Sequence, residues 1–228
     1  MSAKFFKAIK SGNKDKVEQF LRKNPDLILA REKQNLSPLM IALYAHEFEI
    51  ADMVLDRMVA LNVYEAAATG RMKHLISNLA HKPELVNAFS EDGFQPIGLA
   101  AYFGQLEAVE YLIKAGADLN SSSKNDLSVT PLQSAVAGSH LEITRLLLEN
   151  GASPNVQERG GYTPLHVAAH NGDVEIVRNL IFGGADIEAL SNKKEKPLDM
   201  ALKAGHKEVA ELLNAGITRR FRGSRFIK

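Results

Sequence analysis

The 228-residue sequence contains no cysteine. This absence excludes a disulfide framework, thiolate catalysis and every zinc site that needs sulfur ligands. The remaining composition, with 45% hydrophobic and 24% charged residues, is typical of a protein that buries a core, and it names no activity. A chain without cysteine fits a reducing, intracellular setting.

The sequence also lacks long apolar runs. No run approaches the roughly 18 residues expected of a membrane-spanning helix. The opening stretch, MSAKFFKAIKSGNKDK, places only a few apolar residues between lysines, which is too few for a signal peptide. From these two absences we expect a cytoplasmic protein.

Acidic residues are missing from the last twelve positions, which read ITRRFRGSRFIK. Five basic residues lie there, so subtracting their charge from the formal net charge of +1 leaves residues 1–216 at about −4. This mildly acidic body gives no sign of wrapping a nucleic acid backbone. We predict a separate, flexible basic tail over residues 217–228, with candidate contacts at Arg219, Arg220, Arg222 and Arg225.

The second half of the sequence repeats with a period of 33 to 35 residues. The four copies begin QPIGLAAYFG at Gln95, TPLQSAVAGS at Thr130, TPLHVAAHNG at Thr163 and KPLDMALKAG at Lys196. Each copy predicts two short helices, because a cap residue and proline open the first one and glycine closes it. The closing glycines, where a left-handed residue is easy, are Gly104, Gly138, Gly172 and Gly205.

Neither helix of a copy covers its own apolar face, so stacked copies predict a solenoid. The stretch TPLHVAA at 163–169, followed by Gly172, VEIVRNLI and GGAD, resembles the ankyrin repeat. Together with the 33-residue spacing, the resemblance covers roughly residues 3–216. It implies an all-α ankyrin-repeat solenoid of helix-turn-helix units.

The first half of the sequence contains a duplication. Residues 5–55 match residues 63–113 without a gap, with identities such as Pro38 with Pro96 and Tyr44 with Tyr102. A duplicated two-repeat unit brings the predicted total to seven helix pairs. We therefore assign residues 1–216 to one ankyrin repeat domain whose pairs start near residues 4, 37, 62, 95, 130, 163 and 196.

Proline is absent from VLDRMVALNVYEAAATG, residues 54–70, and the only glycine there is the last residue. In family terms, the β-hairpin finger between pairs two and three is missing. Asn62 suits an N-cap, and Glu65 completes a capping box, so we expect a helix boundary. The alternative is one helix through residues 50–69. The missing finger predicts a notch in the row of fingers, beside Tyr44 and the aromatics of pair four.

Candidate catalytic and metal-binding residues are few. His166 and His170 lie four residues apart, a spacing that can place two imidazoles on one metal. The resemblance instead implies that His166 hydrogen-bonds Thr163 and a neighbouring loop. No glycine cluster forms a phosphate loop, and the serines in 121–128 lack a patterned acid and histidine. We predict no enzyme activity, no metal and no cofactor.

The resemblance implies a concave face, formed by the finger tips and the exposed ends of the first helices, that binds partner proteins. Four aromatics of pair four fall on this face, where exposed rings tend to mark recognition sites. Alternatively, Phe94 and Phe103 fold inward and fill the space of the missing finger. The candidate partner-binding residues are Leu36, Tyr44, Phe89, Glu91, Asp92, Phe94, Tyr102, Phe103, Arg159, Tyr162 and His170.

The sequence therefore predicts a monomeric, non-catalytic scaffold that binds an unidentified partner protein on its concave face. The alternative is an adaptor or inhibitor whose basic tail binds nucleic acid or an anionic membrane surface.

Overall fold

The computed structural model describes residues 1–221. These residues form fourteen α-helices, and none of them lies in a β-strand. Three short 3-10 helices, Pro25–Leu29, Lys33–Asn35 and Pro83–Asn87, lie in the connections. The α-helices are α1 (Ser2–Lys10), α2 (Lys14–Lys23), α3 (Pro38–Tyr44), α4 (Phe48–Leu55), α5 (Val63–Ala68), α6 (Met72–His81), α7 (Pro96–Tyr102), α8 (Leu106–Lys114), α9 (Pro131–Ala137), α10 (Leu141–Glu149), α11 (Pro164–Asn171), α12 (Val174–Phe182), α13 (Pro197–Ala204) and α14 (Lys207–Phe221).

Consecutive helices form seven antiparallel pairs that stack into a two-layer solenoid. The first helices pack against one another in one layer, as α7 does on α9 and α11 on α13, and the second helices form the other layer. The predicted all-α solenoid of seven pairs is confirmed.

Proline and a capping residue position most of the first helices. Five of the seven begin with proline, whose missing N–H removes no hydrogen bond at the first helical position. At two of these helices the preceding side chain caps the helix: that of Ser37 accepts from the Met40 amide, and that of Thr130 accepts from the Gln133 amide. Each of these two caps joins two residues only three positions apart, so it can be predicted from the local sequence. Gln95, before α7, makes no such bond, so the cap expected there is absent.

The core lies between the two layers. The residue after four of the five prolines is fully buried there, namely Leu39, Ile97, Leu132 and Leu165, and Leu198 is partly buried. Burying one such side chain stabilises a fold by about 1.5–3 kcal/mol. Because each helix is short, this stacking between repeats is the main source of stability.

Five hairpin turns, which we call fingers, precede the first helices. In each, the amide of the first residue donates to the carbonyl of the last over 2.9 to 3.0 Å. Fingers 2 to 5 are joined in a row by backbone hydrogen bonds, such as Lys124 N to Gly93 O at 2.8 Å and Asn192 N to Gly160 O at 3.0 Å. The fingers are finger 1 (32–36), finger 2 (90–94), finger 3 (123–129), finger 4 (158–162) and finger 5 (191–195).

Residues 56–62, which we call the seam, connect α4 to α5 without a finger. The side chain of Asn62 accepts from the Tyr64 and Glu65 amides, and Glu65 Oε2 accepts from the Asn62 amide at 3.0 Å. This capping box starts α5, as the sequence predicts. The missing finger is confirmed, and the alternative of one helix through residues 50–69 is wrong because the chain turns before the cap.

The last helix, α14, continues to Phe221 and so crosses position 216, where the sequence analysis ends the repeat domain. The backbone at Arg219 and Arg220 is helical, whereas Arg222 and Arg225 lie outside the described residues. Every helix within residues 1–221 falls short of the length and apolar character that a membrane crossing needs.

Candidate functional site: the seam and the concave face

A cleft of about 590 Å³ opens on the concave face, between fingers 1, 2 and 3 and helices α7 and α9. We call it the concave cleft. Its polar side chains include Gln34, Asp92, Asn125 and Gln133. Its apolar and aromatic lining consists of Leu36, Tyr44, Phe94, Leu99, Tyr102, Leu127, Val129 and Ala137.

The aromatic residues at this cleft pack against one another. The ring centroid of Tyr44 lies 6.4 Å from that of Phe94 and 5.9 Å from that of Phe103, and Tyr102 packs edge-on to Phe103 at 5.0 Å. All four rings are half-buried. The rings therefore fill space around Tyr44 and keep an exposed side, an arrangement between the two sequence-based alternatives.

Asp92 fixes this aromatic cluster to finger 2. The Tyr44 hydroxyl donates to Asp92 Oδ2 at 2.6 Å, and the Ser90 hydroxyl donates to Asp92 Oδ1. Asp92 is only 8% exposed, and Asn125 Nδ2 donates to its carbonyl at 2.9 Å. Burial, together with this bond to a carboxylate, raises the pKa of Tyr44 far above its ordinary value. Tyr44 is therefore a rigid neutral donor.

A second cavity, of about 210 Å³, occupies the place of the missing finger, and we call it the seam cavity. Fingers 1 and 2 form two of its walls, and the start of α5 forms the third. Gln34, Leu36, Asp92 and Leu99 line both this cavity and the concave cleft, so the two spaces adjoin.

Side chains alone bridge fingers 1 and 2 among the described residues. Asn35 Nδ2 donates to Glu91 Oε1 at 3.0 Å, and Tyr44, at the end of α3, also bonds to finger 2 through Asp92. The backbone of finger 1 is also unusual, because Gln34 and Asn35 both take positive φ angles, 58° and 55°. The predicted notch is therefore present as a cavity under a side-chain bridge.

Glu65 lines the seam cavity and is 2% exposed. Its Oε2 accepts from the Asn62 amide, but its Oε1 has no hydrogen-bond partner. Among the side chains that the structure describes, those of residues 1–215, this oxygen is the single buried polar atom left without one. Since nearly all buried polar groups in folded proteins are paired, this oxygen is an exception to the usual packing of a core.

His166 has a structural role, as the resemblance implies. Its Nδ1 accepts from the Thr163 amide at 3.1 Å, so its Nε2 donates to the Glu195 carbonyl at 2.9 Å. Burial lowers the pKa of His166, which favours this neutral form. His170 is exposed at the end of α11. Within the described part of the chain, no group of three or more metal-ligating side chains is placed to hold an ion.

The structure separates the remaining candidates into two groups. Phe89 lines the seam cavity, and Lys124 Nζ lies 4.2 Å from its ring centroid. Arg159 and Tyr162 lie in finger 4, where Arg159 pairs with Asp126 and the Tyr162 hydroxyl donates to Glu195 Oε2 at 3.1 Å. Arg159, Tyr162 and His170 do not line either space, although Arg159 contacts Asp126 and Leu127 at the rim of the concave cleft. Gathered around the two adjoining spaces are Leu36, Tyr44, Phe89, Glu91, Asp92, Phe94, Tyr102 and Phe103.

Several residues of this site were not among the predicted contacts, and Leu127 and Glu65 are two of them. Leu127, in finger 3, lines the concave cleft and is 55% exposed, and its signal in the sequence is an apolar residue inside a polar loop. Glu65 was expected only to cap α5. Its free oxygen has no signal in the sequence, since it depends on how finger 2 packs beside α5.

Two sequence-family models match the chain. One describes ankyrin repeats in three copies and matches residues 63–158, and the other describes ankyrin repeats in many copies and matches residues 147–201. Together they span residues 63–201, which is more than half of the chain. They leave the first two helix pairs, the seam and α14 outside the match.

Individual proteins with similar sequences also carry these repeats. The ankyrin repeat and KH domain-containing protein mask-1 of Caenorhabditis elegans is 31% identical over 146 residues, which is 61% of this chain and 5% of that protein. The DNA-binding protein RFXANK of Homo sapiens is 35% identical over 75 residues, 33% of this chain and 29% of that protein. The probable 26S proteasome regulatory subunit p28 of Saccharomyces cerevisiae is 26% identical over 144 residues, 63% of this chain and 54% of that protein. In each case the match covers little more than half of the relative, or less.

Proposed function

The chain belongs to the ankyrin repeat family, and from this premise we propose that it binds a partner protein through the concave cleft. Ankyrin repeats are a protein-interaction module and generally a non-catalytic one. The observation that carries the proposal is the cleft itself, which exposes apolar and aromatic side chains between three fingers. The cytoplasmic location and the monomeric state expected from the sequence belong to the same proposal.

The lining of the concave cleft suits an interface. Aromatic residues held in fixed positions contribute most of the binding free energy at typical interfaces. Here Tyr44 is held by Asp92, and Phe94 and Tyr102 are held within the ring cluster. Because these rings are already ordered, they lose little side-chain entropy when a partner binds.

The test is capture of partners from a lysate of the native cell, followed by mass spectrometry. Leu127→Asp places a charge on the exposed apolar rim of the cleft, while Phe182→Asp is the matched control, because Phe182 is 91% exposed on α12 and does not line the cleft. We expect the Leu127→Asp variant to lose the captured proteins and the Phe182→Asp variant to keep them. Retention of every captured protein by Leu127→Asp would contradict the proposal.

A second candidate function rests on the five basic residues in positions 217–228. A cluster of this kind attracts phosphate groups of nucleic acid or anionic lipid. The probes are a DNA duplex and vesicles that contain phosphatidylserine. We expect binding that weakens with salt and disappears when Arg219, Arg220, Arg222 and Arg225 are replaced by Gln. Absence of binding by the unmodified chain to both probes rejects this candidate.

A further inference from the structure

We propose that a groove between the last turns of α10 and α12 binds residues 222–228 of this chain, which read RGSRFIK. We call it the α10–α12 groove. It lies in the layer of second helices and shares no residue with the concave cleft or the seam cavity. The inference goes beyond the two functions proposed above and rests on neither of them. It follows from an exposed phenylalanine, the shape of the groove, the reach of the chain and the charges of the two surfaces.

The exposed phenylalanine is Phe182, which ends α12 and borders the groove. Its side chain is 91% exposed, more than that of any other aromatic residue whose side chain the structure describes. The residues at the ends of α8 and α10 are Lys114 and Glu149, whose charged groups suit an exposed position. A phenylalanine in the same place leaves apolar surface in water, so a segment that covers it stabilises the chain.

The shape of the α10–α12 groove suits an apolar side chain. Its volume is about 370 Å³, roughly twelve times the ~30 Å³ share of one water molecule. Gly183 keeps the groove open: its φ of −71° does not require glycine, and a Cβ placed on it would lie 3.1 Å from Leu148 Cδ2. Leu148 and Phe182 are the apolar walls. The full lining consists of Arg145, Leu148, Glu149, Asn179, Phe182 and Gly183.

The chain beyond α14 is long enough to reach the groove. Helices α12 and α14 pack side by side in the same direction and start 33 positions apart, so position 215 matches Phe182. From there α14 continues to Phe221, a rise of about 9 Å, and neighbouring helices lie about 8–10 Å apart. The ends of the two helices are therefore roughly 13 Å apart. Residues 222 to 226 span at most about 18 Å when extended, which is enough to bring Phe226 to the ring of Phe182.

The sequence of the segment suits a return toward the ends of the helices. Gly223 comes two positions after the last residue of α14, where a glycine allows the chain to turn back because it adopts left-handed angles freely. Phe226 follows three positions later. Two aromatic rings pack favourably when they are edge-on or offset. We therefore assign Phe226 to the groove, with Phe182 and Leu148 as its contacts.

The charges of the two surfaces are complementary. Residues 222–228 carry three basic side chains and no acidic one, while residues 1–216 carry a net charge of about −4. In the groove, Arg145 is already paired within its own helix, whereas Glu149 forms no ion pair with the described residues. Arg225 can meet that carboxylate. Because Glu149 is exposed, we expect this pair to orient the segment and the apolar contact to hold it.

Attachment to the chain makes a weak contact sufficient. A short linker holds its segment at an effective concentration in the millimolar range, so a contact with a millimolar Kd as a free peptide is occupied about half of the time within the chain. While the contact is occupied, the arginines of the segment face the protein and are less available to phosphate groups. This last consequence rests on the second candidate function, whereas the contact itself does not.

The test follows the position of the segment in the full chain. Because the chain contains no cysteine, Lys228→Cys supplies a single thiol for a nitroxide spin label. The label broadens the NMR signals of nearby backbone amides, and reduction with ascorbate removes the effect. We expect residues 145–149 and 179–183 to lose signal, and α1 and α3 to keep theirs. Spectra at two protein concentrations should agree, because the contact lies within one chain.

Matched substitutions make the test specific. Phe182→Ser and Phe226→Ser each remove one ring of the contact, and Phe48→Ser is the control, because Phe48 is an exposed phenylalanine on α4 that does not line the groove. We expect the ratio of docked to free segment to fall roughly tenfold in both groove variants and to stay unchanged in the control. Glu149→Gln should lower it less, about twofold. Glu110→Gln, which removes an exposed carboxylate on α8, should not change it.

Three outcomes would overturn the inference. They are signal loss that Phe182→Ser or Phe226→Ser leaves unchanged, no signal loss at residues 145–149, and signal loss that grows with protein concentration. The first means that the segment only passes near α12, and the last means that a second copy provides it. The capture experiment is scored on the proteins that Leu127→Asp loses, so the concave-cleft proposal fails separately.

Discussion

At the scale of single residues, Tyr44 connects the two halves of the site. Its ring contacts Phe94 and Phe103, and its hydroxyl bonds to Asp92 across 48 positions of sequence. Through these contacts, a residue at the end of α3 holds finger 2 on the far side of the seam. The concave cleft and the seam cavity share Asp92, so this one bond shapes both spaces.

Tyr44→Phe should weaken the fold. The substitution keeps the ring contacts and removes the donor from Asp92, a largely buried carboxylate, so we expect a loss of about 1–2 kcal/mol in the free energy of unfolding. Urea denaturation at neutral pH measures it. Tyr111→Phe serves as the control, because Tyr111 is half-buried on α8, away from the seam, and is expected to change stability by less than about 0.5 kcal/mol. Equal losses in the two variants would contradict the assignment.

The same bond predicts a pH dependence at the alkaline end. Folding raises the pKa of Tyr44, so the folded chain keeps a proton that an unfolded tyrosine loses above a pKa of about 10. The stability that this proton brings is fully present below pH 10 and falls as the pH rises beyond it. Unfolding free energies measured from pH 8 to 11 should therefore fall more steeply in the unmodified chain than in Tyr44→Phe, by up to about 1.4 kcal/mol per pH unit. Parallel slopes would contradict the prediction.

Glu65→Gln should stabilise the chain. The substitution replaces the unpartnered oxygen with an amide that can donate to finger 2, as Gln133 donates to finger 4. We expect a gain of about 1 kcal/mol in urea denaturation, with no change in Glu110→Gln. A loss of stability would show that Glu65 Oε1 is already satisfied in the free chain.

Residues that act over short sequence distances were predictable. The Asn62 to Glu65 capping box and the bond from His166 to Thr163 each span three positions, and both are present as expected. The bond from Tyr44 to Asp92 was out of reach, because it needs the offset between α3 and finger 2. The sequence predicts that both residues lie on the concave face, but nothing in it indicates that they form a hydrogen bond.

At the scale of elements, the seam is a connection that is too short for a finger. From Pro38 to Val63, the starts of α3 and α5, the chain advances 25 positions, whereas it advances 33 from Pro131 to Pro164. The eight fewer residues leave α5 to start from its cap alone. The side chain of Asn62 accepts hydrogen bonds from two backbone amides there. The side chain of Asn13, the N-cap of α2, accepts one.

Asn62→Ala should therefore cost more than Asn13→Ala. Losing an asparagine N-cap typically destabilises by about 1 kcal/mol, and the reciprocal bond of Glu65 is weakened as well. We expect Asn13→Ala, with a single bond lost, to stay below that value. Thermal and urea unfolding of the two variants measure the difference, and a ranking in the opposite order would rule out the capping box as the device that starts α5.

The helix ends illustrate what sequence can and cannot say about an element. Gly172 and Gly205 take left-handed φ angles of 80° and 81° at the ends of α11 and α13, as expected. At the end of α9 the expectation was wrong: Gly138 has a φ of −82°, and Ser139 takes the positive angle instead. A side chain on Gly138 would meet the ring of His140, which bonds to the Tyr102 carbonyl. This glycine serves close packing, which the repeat pattern does not distinguish from a turn.

At the scale of the whole molecule, the seam separates the first two helix pairs from the other five. Helices α3 and α5 approach each other less closely than any other two neighbouring first helices. A cavity of about 180 Å³ opens at the other ends of these helices, between Leu43 and Thr69 among other residues. The first two pairs contain the buried rings of Phe5 and Phe6, which pack against each other at the end of the continuous core. Since repeat proteins are stabilised by neighbour contacts, this interface is the weakest in the stack.

Native-state hydrogen exchange should show this division. We expect amides of α1 and α3 to exchange through an opening that leaves α9 and α11 folded, with an opening free energy lower by roughly 2 kcal/mol. The measurement is exchange at low denaturant concentrations, resolved by residue. Convergence of all four helices on one opening free energy would show that the seam transmits stability as well as the regular interfaces do.

The architecture was the most predictable level, because the 33-residue period and the internal duplication fix the number and order of the pairs. The strength of each interface was not predictable. It depends on the distance between α3 and α5 and on the cavities at the seam. Neither the repeat period nor the match of residues 5–55 to 63–113 predicts that distance.

The seam cavity arises from the length of the connection between α4 and α5, and this has a consequence for the history of the family. A finger inserted after Asp56 would fill the cavity while leaving every lining residue of this chain unchanged. Two descendants of one ancestor would then share the same side chains and differ in whether the pocket exists. Gain and loss of this site in evolution should therefore follow insertions and deletions at positions 56–62, and ancestral reconstructions that count only substitutions would miss it.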